Sequence, residues 1–286
     1  MPDAEEHTLT AADGVSLAGR IFAPSAATRG AALVAPAMAV PQTFYEPFTR
    51  WLAEQGVLAL TFDPRGIGGS RRGRLRDERA DLLTWAELDC GAALRALAER
   101  AGSLPLTWIG HSLGGQILPF VPGRERAAKV VTVACGSGYW RDNVPRYRHR
   151  VWLLWWVLAP LSLALLGWYP GRRLRMLGDL PPAAMAQWRR WCLHPEYAVG
   201  VEGERARALY AAVRTPITSL SFTDDEYLSA RNIEALHNQY TGAPRRMLRI
   251  APAERGLSRI GHLGFFRAGQ ERLWQDLVLP ELALTR

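Results

Sequence analysis

The stretch Leu106-Thr-Trp-Ile-Gly-His-Ser-Leu-Gly-Gly-Gln-Ile117 decides how the rest of the chain is read. An apolar run stops at a glycine, presents a serine and resumes through two more glycines. Gly110-His111-Ser112-Leu113-Gly114 fits G-x-S-x-G, the pattern of a buried strand that turns sharply into a helix with the serine at the apex. Such an apex is strained, and glycines on its flanks let the strand and helix backbones approach closely. The motif also recurs by chance, so its weight depends on what surrounds it.

Outward from Ser112, buried strands alternate with helices. Residues 8–22 read as two short strands about an Asp13-Gly14 turn. Residues 31–35 are a continuous run of small apolar side chains, as in a strand covered on both faces, with a bend at Pro36. A helix is predicted over 44–55, with Phe48, Trp51 and Leu52 on one face and Gly56 as its stop. A second buried strand, 57–62, ends in Asp63-Pro-Arg-Gly-Ile-Gly-Gly-Ser70, read as a tight, functionally placed turn. A long amphipathic helix over 80–101 precedes the strand that feeds Ser112, and a helix is expected from Leu113 onward. Further strands are predicted at 129–134, 215–222 and 246–250, with helices at 229–237 and 265–278. This rhythm predicts an α/β fold with a mostly parallel, doubly covered β-sheet. Functional residues are then expected at the carboxyl ends of the strands.

The rhythm breaks between 136 and about 205, where tryptophan, arginine and proline take over. The expected organisation is a core of 1–136 and 206–286 with a helical cap or lid, 137–205, inserted between strands. Residues 151–168 are eighteen residues without a charge, the lower limit for a membrane span. Pro160 is expected to break that run, arginines 148, 150, 172 and 173 flank it, and the next strand of the sheet must still be reached on the same side. An apolar lid packed on the core is therefore expected, with peripheral membrane contact through the cap as the alternative.

Length and composition agree with one large domain carrying an insertion: 286 residues, 48% hydrophobic. The net charge of +8 includes a single lysine, Lys129, among 35 basic residues, and the arginines are scattered among acids. The densest basic patch, Arg71-Arg-Gly-Arg-Leu-Arg76, runs straight into Asp77, Glu78 and Asp81 and reads as a solvated loop. Nucleic acid is not an expected partner. Cys90, Cys135 and Cys192 show no pairing or metal-ligand spacing and suit a reducing compartment. The acidic start, residues 1–6, lacks the apolar stretch of a secretory signal, so a cytoplasmic location is expected. No H-E-x-x-H is present, and Gly66-Ile-Gly-Gly69 lacks the full dinucleotide pattern, so neither metal nor cofactor is expected. The oligomeric state is not legible.

A serine hydroxyl needs a base to take its proton and a third group to orient that base. After a turn of this kind the expected order along the chain is serine, acid, histidine. Asp224 and Asp225 follow the 215–222 strand, and His262 sits in a glycine-flanked loop after the last one. His7 precedes the sheet, His111 is fixed beside the serine by the turn, His149 and His194 lie in the insertion and His237 ends a helix, which leaves His262 as the base. Adjacent residues leaving a strand point in different directions, so one aspartate faces His262 and the other is expected at a helix N-terminus. A developing oxyanion needs backbone donors. Leu113, directly after the nucleophile, supplies one. The loop after 31–35 supplies the second; Pro36 has no amide hydrogen, which leaves Ala37 or Met38, and Met38 is taken here.

These residues resemble the α/β-hydrolase superfamily over about 9–136 and again from about 213 to the end. Gly110-His-Ser-Leu-Gly-Gly115 is similar to its nucleophile elbow, and Asp63-Pro-Arg-Gly-Ile-Gly-Gly-Ser70 to its D-x-R-G-x-G-x-S loop. Ser221-Phe-Thr-Asp-Asp-Glu-Tyr-Leu-Ser229 resembles its acid loop when Asp225 is set on the catalytic aspartate, with Asp224 as the alternative. Gly261-His262-Leu-Gly-Phe-Phe266 resembles its histidine loop. The usual His-Gly after the third strand is replaced by Pro36-Ala37. As a whole the chain is most similar to bacterial hydrolases with a tryptophan-rich cap. The resemblance implies a serine hydrolase acting through Ser112, His262 and Asp225, with no settled substrate; the apolar, tryptophan-rich cap adds the expectation of an ester or related acyl bond of an apolar small molecule. An acyltransferase or peptidase with the same triad, and a non-catalytic binding protein on the same fold, are the alternatives.

Overall fold

The computed structural model describes residues 4–176 and 178–285. One eight-stranded sheet runs through them in the order β1-β2-β4-β3-β5-β6-β7-β8. The strands are β1 Ala4–Thr10, β2 Ser16–Phe22, β3 Gly30–Ala35, β4 Val57–Phe62, β5 Leu106–His111, β6 Ala127–Val133, β7 Ile217–Phe222 and β8 Arg245–Ile250. The β1–β2 hairpin is antiparallel and β2 joins β4 antiparallel; every other pairing is parallel. The expected mostly parallel sheet is the one observed. From β3 the chain steps to β4 on one side and β5 on the other. The carboxyl ends of β3 and β5 therefore flank the crevice where such sheets bind ligands.

Both faces of the sheet are covered. Along β3, Ala31, Leu33 and Ala35 enter one apolar layer while Ala32 and Val34 enter the other. The first layer is closed by α2, residues 82–101, and by helices between β6 and β7. The second is closed by α1, Glu46–Glu54, and by the C-terminal segment, where Phe48, Trp51, Phe265, Phe266 and Trp274 pack as a cluster of rings. Burying a large aromatic side chain is worth roughly 1.5–3 kcal/mol, so this layer contributes much of what holds the C-terminal segment to the sheet. Strand β8 lies at the edge with Arg245, Arg246 and Arg249 exposed, charges that oppose pairing with another chain.

Three helices differ from expectation. The helix after Ser112, α3, is only Leu113–Gln116; Pro119 cannot donate to a continuing helix, and the chain passes into a 3-10 turn, Leu118–Phe120. The last helix, expected from 265, begins at Glu271 (Glu271–Leu277), because Gly269 with φ 87° interrupts the chain before it. Pro160 does not break the apolar run either. The helix α4, Pro145–Leu166, passes through it, with a π turn over Leu154–Leu158 just ahead of the proline. Trp155 O, in the turn before the proline, accepts Arg189 Nε at 2.6 Å, which gives a carbonyl of the disturbed turn a partner outside the helix backbone. Beyond it come α5, Pro182–Leu193, and α6, Tyr197–Ala212, kinked at Gly203 and running across residue 205. After β7, α7 spans Ala230–His237.

The glycine-rich loop after β4 is tied into the fold by buried polar bonds, and its Pro64 and Ile67 line a small cavity with Ala37 and Leu113. Asp63 accepts from the Gln42 and Gly69 amides at 2.7 and 2.8 Å, and Ser70 Oγ donates to Asp63 O and accepts from Ala18 N. Arg65, 6% exposed, bonds Asp89 of α2 at 2.8 Å and Asp13 of the first hairpin at 2.5 Å. Removing one partner of a buried ion pair leaves the other charge desolvated. We expect Asp89→Ala to lower the unfolding free energy by about 3 kcal/mol in urea titrations; a loss below about 1 kcal/mol, the range of an exposed pair, would show that this tie is not structural.

Candidate active site

Ser112 sits at φ 49°, ψ −110°, a conformation that a side-chain-bearing residue adopts only when its surroundings enforce it. The flanking glycines show how. A Cβ at Gly114 would collide with the Ala35 carbonyl oxygen, one at Gly110 would lie 2.6 Å from Gly115 N, and one at Gly115 would lie 2.5 Å from Cys135 Sγ. The turn is closed by Ser112 N donating to Val133 O at 3.0 Å. Ser112 is thereby held at the carboxyl end of β5, at the amino end of α3.

Three consecutive carboxylates after β7 hold the histidine loop. Asp225, 3% exposed, takes His262 Nδ1 at 2.8 Å through Oδ2, while its Oδ1 accepts the Tyr227 and Leu228 amides at 2.8 and 2.9 Å. Asp224 turns away: its Oδ2 accepts the Ile260 and Gly261 amides at 2.8 and 3.0 Å. It does not head a helix as expected, since α7 starts later and is capped by Ser229. Glu226, absent from the expected site, accepts His262 N at 2.8 Å and Arg259 at 2.7 Å. Its place directly after the two aspartates was the available signal. Burial disfavours the His262 cation, but the Asp225 and Glu226 carboxylates outweigh it and hold the pKa above the ordinary histidine value. Burial likewise disfavours the Asp225 anion, and His262 with the two amides outweighs it, so that carboxyl lies below its ordinary value.

His111 has a role that its position beside the serine did not reveal. Its Nδ1 is 2.8 Å from Tyr45 Oη, which itself accepts the Ala37 amide at 2.8 Å, and its Nε2 is 3.0 Å from His262 O. These partners fix the tautomer. Tyr45 Oη receives from Ala37 and so donates to Nδ1, and Nε2–H donates to the carbonyl. Burial, followed by the nearby His262 charge, pushes the His111 pKa down to about 3, so it stays neutral. The same network commits the Ala37 N–H and leaves Met38 as the next donor on the loop after β3. Ala39, at φ 57°, marks the sharp bend of that loop. His237 is committed to Thr132 and Ile233, and burial pushes its pKa down to about 4.

Ser112, Leu113, Met38 and His262 open together onto a cavity of about 320 Å3. Leu113 heads α3, whose first amides have no partner inside the helix. Val151, Leu154, Trp155, Met176, Trp188 and Leu228 form the apolar wall, and Arg150 and Arg175 are its charged side chains apart from His262. Two buried polar atoms of the wall, Trp155 Nε1 and Asn143 Oδ1, have no hydrogen bond. Gln116 joins α3 to the helices above it: its Nε2 donates to Gly136 O, and Tyr197 and Tyr210 donate to its Oε1 and backbone carbonyl. Among the described residues no three His, Cys, Asp or Glu side chains converge on a point that could hold a metal ion.

The family model of the serine aminopeptidases, S33, matches residues 26–164, from β3 through the nucleophile turn into α4. No curated protein matches the chain in sequence. Among solved structures, DcsB in complex with its substrate analogue superposes with a TM-score of 0.63 at 14% identity, covering 98% of this chain and 100% of that one. A soluble variant of the monoglyceride lipase from Saccharomyces cerevisiae reaches 0.63 at 15% identity over 88% and 86%. The Pyrococcus furiosus esterase Pf2001 reaches 0.60 at 12% identity over 96% and 88%. At these identities the likeness to the solved structures is one of fold, the α/β-hydrolase fold, and the family model covers just under half of the chain, including the turn at Ser112.

Proposed function

We propose that the protein is a serine hydrolase acting on an ester of an apolar acyl group. The observation that carries this reading is the 2.8 Å bond from Asp225 to His262 at the base of an apolar cavity onto which Ser112 opens. Ser112 Oγ attacks the carbonyl carbon as His262 Nε2 takes its proton. Asp225 holds the other ring nitrogen and stabilises the imidazolium that forms. The carbonyl oxygen becomes an oxyanion, with the Leu113 and Met38 amides as its donors in this reading. His262 then returns the proton to the leaving alcohol, and water repeats the sequence on the acyl-enzyme. A cavity of about 320 Å3 is at the small end for an organic ligand and fits a short or medium acyl chain. The helices between β6 and β7 act as the cap that shapes it.

The matched family's name raises peptide hydrolysis as a second reading. An aminopeptidase must hold a free ammonium, and a carboxylate is the group suited to that task. Among the described residues the cavity wall carries no Asp or Glu and does carry Arg150 and Arg175, which favours a neutral or anionic substrate over a cationic one.

In a series of p-nitrophenyl esters, turnover should pass through a maximum at short or medium chains and fall by roughly 10^3-fold or more in Ser112→Ala; aminoacyl-p-nitroanilides should be poor substrates. Retained esterase activity in the variant, or efficient aminoacyl cleavage, contradicts the assignment. Only neutral His262 can act as base, so kcat/KM should rise with pH, with a midpoint above the ordinary 6.5 because the folded-state pKa is raised. Asp225→Asn should lower kcat by roughly 10^3–10^4-fold and move that midpoint down, whereas Asp224→Asn, which keeps an acceptor for the Ile260 and Gly261 amides, should cost less than about tenfold. The reverse ranking would make Asp224 the orienting acid.

A further inference from the structure

Helix α4 carries an apolar face that the described residues leave largely exposed, with Trp140 packed on Trp156. Trp152, Trp156, Leu161 and Leu165 are 48, 39, 54 and 78% exposed, and Leu153 and Leu166 are exposed beside them. By length and composition Pro145–Leu166 is long and apolar enough to cross a membrane, yet its other side is occupied. Leu154, Trp155, Ala159 and Ser162 are buried, and Leu154 and Trp155 form part of the cavity wall. The π turn over Leu154–Leu158 creates this division. In an unbroken α-helix Leu161 would lie about 180° around the axis from Trp152. One extra residue in the π turn takes back about 100° and brings Leu161 and Leu165 onto the side of Trp152 and Trp156.

Within this segment the charges have one sign. From Asn143 to Gly178 the sequence contains six arginines and no Asp or Glu. Arg146, Arg148 and Arg150 are exposed at the start of α4, and Arg172 and Arg173 are exposed just past its end. The solvated arginine loop of 71–76 reaches the same end: a Cβ on Gly167 would lie 3.2 Å from Arg76 Cβ. A stripe of tryptophan and leucine bounded at both ends by arginines matches the chemistry of a bilayer surface, with acyl chains beneath and phosphates above.

We propose that α4 is an interfacial anchor that lies in the plane of an anionic phospholipid surface, its exposed tryptophans and leucines in the acyl boundary and its flanking arginines on lipid phosphates. The buried side of the same helix, which walls the cavity, favours this in-plane orientation over a transmembrane one. The anchor does not depend on the chemistry assigned to Ser112. Because the opposite side of α4 walls the cavity, docking sets that cavity close to the lipid.

The test is sedimentation of the full-length protein with vesicles of phosphatidylcholine alone and of phosphatidylcholine mixed with phosphatidylglycerol. Wild type and Ser112→Ala should bind the mixed vesicles equally, and better than phosphatidylcholine alone. The triple variant Trp152→Ser/Leu161→Ser/Leu165→Ser should lose about tenfold in partitioning. Arg172→Gln/Arg173→Gln should lose about tenfold on the anionic vesicles only, with added salt removing the difference. All of these surface variants should hydrolyse a short soluble ester at the wild-type rate. If the triple variant does not fold, Leu165→Ser, at the most exposed position, should still weaken binding measurably. Failure of wild type to bind either vesicle, or unchanged binding by the variants, overturns the proposal. So does a wild-type dimer in solution that the triple variant converts to monomer, since the face would then join two copies of this chain.

Discussion

The site depends on one close approach, that of Gly114 to the backbone of Ala35. With no side chain between them, the amino end of α3 lies directly on the end of β3. The strained serine is then presented beside the loop that carries Met38. Any larger residue at 114 would separate the two strands' carboxyl ends and with them Ser112 and the loop that carries Met38. The parallel pairing of β3 with β5 supplies the frame, and the glycine supplies the final contact.

From that contact a second layer of bonds reaches the base. Ala37 donates to Tyr45, Tyr45 to His111 and His111 to the carbonyl of His262. The oxyanion loop, the nucleophile turn and the histidine loop are thus joined by a buried chain in which every donor has a defined acceptor. A neutral His111 suits this arrangement, because a cation there would oppose the charge that His262 acquires. Asp224, Asp225 and Glu226 grip the same histidine loop from the other side, each through different atoms.

Much of this was legible in the sequence, because strands buried on both faces are written as unbroken apolar runs and the turn at Ser112 demands its glycines. The order of Ser112, the two aspartates and His262 was legible for the same reason. Which aspartate faces the ring could not be read from residue spacing, since the decision lies in which carboxylate the amides of 227 and 228 capture. Tyr45 and His111 gave no periodic or spacing signal; a tyrosine at the head of a helix reads as core until its hydroxyl is placed. The course of α4 through Pro160 is not legible from the rule that proline ends a helix, because the proline sits at the start of a fresh α segment directly after a π turn. The glycines of the 63–70 loop mark a tight turn, but its bonds to β2, to the turn ahead of α1 and to α2 carry no sequence signal of their own.

The central claim is that Ser112 is a nucleophile made reactive by His262. It is tested most directly by reaction with a fluorophosphonate and mapping of the adduct by mass spectrometry. The account predicts one phosphonyl group on Ser112 in the wild-type protein and its loss in a folded His262→Ala variant. A protein that stays unlabelled, that is labelled on another residue, or that is labelled equally fast without His262 would contradict it.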